Sequence, residues 1–151
     1  MSAVTALVTG RAFWAWLGEN PAHFPGAAFV EFYQVLNRMI TFPIAMMGGT
    51  GIVLAGISAF LFRRDRPVFI CLLASAALSL LAATITIIVY LPINEQLASW
   101  DPSALAPNYR EALERWRAWN AVRLIALFAA MSAAFGAMLL SGSNHEETPN
   151  A

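Results

Sequence analysis

The sequence predicts an all-α integral membrane protein, a four-helix bundle with an amphipathic interfacial helix between its first and second spans. Three observations carry that expectation. Four apolar stretches fill most of the 151 residues. Hydrophobic residues make up 59% of the chain and charged residues only 12%, about half the charged share of an ordinary soluble domain. Between Val68 and Leu91 there is no charged residue at all, and that run is about 36 Å long as a helix, enough to cross a hydrocarbon core with some tilt.

The first expected span covers residues 2–17. It carries Arg11 near its middle, and an arginine at that depth must snorkel, pair or face a wet interior. Gly18-Glu19-Asn20-Pro21 ends it. Residues 26–40 are too polar and too short to cross; Phe29, Phe32, Tyr33, Leu36 and Ile40 recur at three- and four-residue steps, the pattern of an amphipathic helix at the membrane surface. Thr41 and Pro43 open the second span, residues 43–62, in which Gly51, Ala55 and Ala59 form a small-residue stripe for close helix approach. Arg63-Arg64-Asp65-Arg66-Pro67 is a tight turn into the third span, residues 68–91. Asn108 and Glu111 mark a helix start that leads into the fourth span, 119–140. These spans make one domain, 1–140, followed by a polar flexible tail, 141–151.

Arg63, Arg64 and Arg66 crowd one short loop, the usual mark of a cytoplasmic turn. With four spans both termini then share that side, in a cell inner membrane: arginine without lysine and abundant alanine point to a GC-rich bacterial genome. The formal net charge is zero, which gives no basis for binding nucleic acid. Cys71 stands alone, and two histidines, His23 and His145, form no paired ligand motif, so neither a redox pair nor a metal site is expected. Membrane lipid is the expected surrounding, and a homo-oligomer is compatible with the small-residue stripes.

The chain's polar chemistry falls at one end of this topology: Glu19, Asn20, His23, Tyr33, Asn37, Asn94, Trp100, Trp116, Asn120 and Arg123. On the fourth helix Trp116, Asn120 and Arg123 are spaced by four and three, so they share a face. For Trp100 and Trp119 the usual aromatic belt at the membrane boundary is the better account.

These residues also carry a resemblance. Thr9-Gly10 with Glu19-Asn20-Pro21-Ala22, Pro92-Ile93-Asn94 with Leu97 and Trp100, and Trp116 with Asn120 and Arg123 together resemble the anthrone-oxygenase-like family of four-span membrane proteins. That family's fourth-helix motif usually carries a histidine where this chain has Asn120, and an amide does not titrate near neutral pH. The resemblance implies an oxidoreductase, a monooxygenase acting without metal, flavin or other cofactor on a lipophilic aromatic small molecule, in a pocket at the outer end of the bundle. Arg123, Asn120 and Glu19 would then carry the chemistry: Arg123 steadies a phenolate or enolate, and Glu19 or His23 supplies a base. Trp116, Asn94, Tyr33 and Trp100 would hold the substrate. The alternative is a non-catalytic membrane protein that binds a lipid-like molecule or assists a membrane complex, which requires only the packing stripes and a polar cap.

Overall fold

The computed structural model describes residues 2–19 and 25–146, with side chains for 3–19 and 25–142. All regular structure within these residues is helical: α1 (Ser2–Leu17), α2 (Gly26–Leu61), α3 (Arg66–Ile85), a π-helical turn (Thr86–Tyr90), α4 (Leu91–Ser99) and α5 (Tyr109–Glu146). Three helical stretches, Gly26–Leu61, Arg66–Ser99 and Tyr109–Gly142, are long and apolar enough to cross a membrane. The 16 residues of α1 reach only about 24 Å.

Burial follows the logic of a protein in lipid. Large side chains point outward: Phe42 is 73% exposed, Leu139 76% and Leu7 62%. Inside lie small ones, among them Ala12, Ala82, Ala130, Ala134 and Ala137. Lipid solvates a leucine as well as a neighbouring helix does, so close backbone approach through small residues, and not apolar burial, holds such helices together. Thus α1 rests on α5 through Val8, Ala12, Leu124, Ala126 and Leu127. The expected stripe on α2 behaves the same way. Ala59 packs with Val68, Leu72 and Ala137, Ala55 is buried, and a Cβ on Gly51 would meet Val4 at 3.5 Å.

The interfacial helix expected over 26–40 does not exist as a separate element. Those residues are the first part of a 36-residue α2 that continues through Pro43. Proline removes one backbone donor, a loss a membrane helix tolerates, and Thr41 closes the preceding turn by donating to the Asn37 carbonyl at 2.6 Å. Its apolar face is buried at Phe29, Val30 and Tyr33. Between Tyr33 and Ala55 no residue of α2 is fully buried. The helix is thus anchored at both ends and stands away from the bundle in between.

Pro92, expected to end the third span, does not end the helix either. It lacks the N–H that would bond Ile88, and its ring crowds that turn. The π turn just ahead widens the backbone, with the Leu91 amide donating to the Thr86 carbonyl five residues back, and helix resumes to Ser99. Such single π turns commonly occur at functional sites. The arginine turn matches expectation: Asp65 caps α3 by accepting from the Val68 amide, and Arg63 stacks on Phe60. Helix α5 begins at Tyr109, one residue after Asn108, and runs through Glu146, so the first six residues of the expected flexible tail are helical. Residues 147–151 lie outside the described residues.

Candidate functional site

Where α2 stands off, a cavity of about 400 Å³ opens between α1, α2, the α3–π–α4 stretch and α5. Most of its wall is apolar, from residues such as Val4, Val8, Ile44, Met47, Ile52 and Leu127. Polar groups gather toward one end.

That end is organised around Tyr33. Its hydroxyl donates to Asn94 Oδ1 at 2.7 Å and accepts from Trp116 Nε1 at 3.1 Å. Asn94 Nδ2 donates in turn to Asn37 Oδ1 at 3.3 Å. Aromatic edges lock the rings: Tyr33 meets Trp116 at 5.6 Å and 84°, while Phe29 stacks on Tyr33 at 5.8 Å. The Tyr90 hydroxyl donates to the Trp116 carbonyl at 3.1 Å. One network therefore joins α2, the π turn, α4 and α5, and its buried polar atoms are largely satisfied, the condition under which such a network rigidifies a core.

Arg123 sits deeper. Its guanidinium stacks 4.2 Å from the Tyr90 ring centre, Nη2 donates to Asn120 Oδ1 at 2.9 Å, and Nη1 reaches Thr86 Oγ1 at 3.5 Å. A guanidinium carries five N–H donors, so most remain uncommitted, and Nε is buried without a partner. Among the described residues no carboxylate lies within ion-pairing distance of Arg123. Arg11 also lines the cavity, but it is neutralised: Nη1 contacts Glu19 Oε1 at 2.7 Å and Nη2 donates to Oε2 at 3.1 Å. Of the three fates open to a mid-span arginine, Arg11 pairs.

Of the seven site residues expected from sequence, Tyr33, Asn94, Trp116 and Arg123 line the cavity together. The other three do not. Asn120 is fully buried behind Arg123 and acts on it through the amide oxygen. Glu19, 1% exposed, is held by Arg11. Trp100 packs beside the Phe29–Tyr33–Trp116 cluster, and its carbonyl accepts from Gln34 Nε2 at 2.9 Å. Asn20 and His23 lie outside the described residues. The cavity is not confined to the outer end either; past Arg123 it continues along α1 to Val4 and along α2 to Ile52. Thr86 carries no signal of a site in the sequence, although it stands four and eight residues before Tyr90 and Asn94 on the same wall. Nothing in the spacing of Arg11 ties it to this cavity. Among the described residues no three His, Cys, Asp or Glu side chains come together.

Comparison with known proteins gives one result. No curated protein and no solved structure matches the chain. A family model described as anthrone oxygenase matches residues 29–133, a stretch that runs from α2 into α5 and includes every cavity residue of the Tyr33 network. With more than two thirds of its length so matched, the chain belongs to the anthrone oxygenase family.

Proposed function

We propose that this membrane protein oxidises a lipophilic, oxygen-bearing aromatic compound of the anthrone type with molecular oxygen inside the cavity. The observation that carries the proposal is the cavity's asymmetry: long apolar walls, and at one end a polar wall of Tyr33, Asn94, Trp116 and Arg123. A flat polycycle fits apolar walls, and its oxygens turn to the donors. In the reaction, a methylene flanked by two rings loses a proton, the electron-rich enolate reacts with oxygen to form a peroxide anion, and the returning proton makes it a hydroperoxide. Loss of water then leaves a ketone, so that one CH2 and one O2 become one C=O and one H2O. Trp116 supplies a ring wall held in place by its bond to Tyr33. Arg123 provides positive charge where the enolate oxygen becomes negative, the term that counts most when no covalent step involves the protein. Asn120 keeps the guanidinium in position.

Oxygen uptake with anthrone tests this in protein reconstituted into lipid vesicles. The native protein should accelerate uptake above the rate in protein-free vesicles, and Arg123→Leu should abolish the acceleration while the helical content stays intact. Uptake no faster than in empty vesicles, or an undiminished Arg123→Leu, would remove the oxygenase reading. Asn120 favours a second reading, a non-catalytic protein that holds a lipid-like aromatic, because an amide stands where the family motif carries a titratable histidine. Binding of anthrone without oxygen uptake would support it. The arginine turn between α2 and α3 supports a cytoplasmic side for that turn; with α1 as a fourth span in an inner membrane, both termini share that side.

A further inference from the structure

We infer that the cavity takes its ligand as an anion, so that the substrate class is the acidic aromatics, those whose hydroxyl or enolisable carbonyl ionises readily, and that the described residues of the cavity wall supply charge to hold the anion and no base to create it. The inference rests on the proposed oxygenase reading for its consequence in turnover, and on the cavity alone for its consequence in binding.

The charged and titratable groups facing the cavity are few. From α1 comes Arg11, neutralised by Glu19. From α2 comes Tyr33 and from the π turn Tyr90, whose hydroxyls both donate hydrogen bonds. From α5 comes Arg123. Glu19 is not part of the cavity wall, and Arg11 occupies both of its oxygens. The remaining polar lining, such as Asn37, Thr86 and Asn94, is neutral. Within the described residues the wall therefore carries one uncompensated positive charge and no free proton acceptor.

An unpaired arginine at membrane depth is costly, and neutral partners such as Asn120 and Thr86 relieve it only in part. The Nε–H without a partner and the uncommitted Nη hydrogens make a fork suited to an oxyanion. Binding the ionised form supplies the missing counter-charge, and Arg123 thereby lowers the apparent pKa of the ligand itself. The proton passes to water as the anion binds. The bound anion and oxygen then give a peroxide anion, which takes a proton back from water to become the hydroperoxide, and loss of water leaves the ketone. This also accounts for Asn120: no histidine is needed to accept a proton that has already left.

Calorimetric titration and oxygen uptake, each on the full chain in mild detergent, separate the two layers. Anthracene carboxylate, permanently charged at neutral pH, should bind at least tenfold more tightly than the neutral anthracene methanol. Arg123→Gln should erase that preference and Arg123→Lys should keep part of it, which guards against a merely misfolded variant. Equal affinities in the native protein, or a preference that survives Arg123→Gln, would overturn the inference. In turnover, the pH midpoint of kcat/KM should move with the acidity of the substrate when anthrone is replaced by a ring-fluorinated anthrone. A midpoint that stays fixed for both, or one that disappears in His23→Ala, would overturn it by revealing a protein base. Preferential carboxylate binding with no oxygen uptake from any anthrone would support the anion site and defeat the oxygenase reading; uptake without charge preference would do the reverse.

Discussion

Glu19→Gln tests the buried pair directly, because the substitution keeps the side chain's shape while removing its charge and one of the two acceptors that Arg11 uses. Glu19 is 1% exposed and Arg11 23%, so the change leaves a guanidinium without its counter-ion beside the cavity. Breaking one partner of a buried ion pair costs about 3–5 kcal/mol. Here Arg11 retains some access to the cavity, which lowers the expected loss to about 2–3 kcal/mol, since a partly hydrated charge is screened. The double variant Arg11→Met/Glu19→Gln removes both charges and should recover stability to within about 1 kcal/mol of the native protein, because replacing a whole buried pair is close to neutral. Reversible unfolding in mixed micelles, followed by tryptophan fluorescence, measures all three. The single variant should also bind anthracene carboxylate more tightly than the native protein, as a second positive charge then faces the cavity. A single variant as stable as the native chain, or a double variant less stable than the single, would refute the buried-pair account of how α1 carries an arginine.

Other substitutions probe the packing and the network. Ala55→Leu adds bulk at a position 2% exposed and should destabilise by about 1–3 kcal/mol in the same micelle assay; an unchanged midpoint would mean that the stripe faces lipid. Tyr33→Phe keeps the ring packing but strips Trp116 Nε1 and Asn94 Oδ1 of their shared partner, at a cost of about 1–3 kcal/mol, and should loosen the Trp116 ring, seen as increased quenching by acrylamide. Reporter domains inserted after Arg66 and after Trp100 should lie on opposite sides of the membrane, because the Arg66–Ser99 stretch is long enough to cross it; both on one side would contradict that crossing.

How much of this was legible beforehand depends on what kind of signal each residue gives. Helical class and apolar spans follow from composition and run length, which report on the solvent and need no tertiary knowledge. Tyr33, Asn94, Trp116 and Arg123 could be grouped because polar and aromatic residues at span ends have few places to go. Helix continuity was not legible. Pro43 and Pro92 look like boundaries, since proline starts helices well and interrupts them badly. In this bundle Pro43 lies inside α2, while a π turn absorbs Pro92, and neither accommodation has a local signature. Asn120 shares a helical face with Arg123 and was grouped with it, yet it supports the arginine from behind instead of facing the cavity. Spacing alone does not separate those two placements. The role of Arg11 was hidden for a related reason: its neutralisation depends on a turn that brings Glu19 back over α1.

The most direct test of the account is a ligand-bound structure of the full chain with anthracene carboxylate in lipid nanodiscs. The account predicts the rings between α2 and the π turn, against Trp116, with a carboxylate oxygen within hydrogen-bond distance of the Arg123 guanidinium. A ligand seated on the lipid-facing surface, or one inside the cavity with its carboxylate turned away from Arg123 toward Val4 and Ile52, would contradict it.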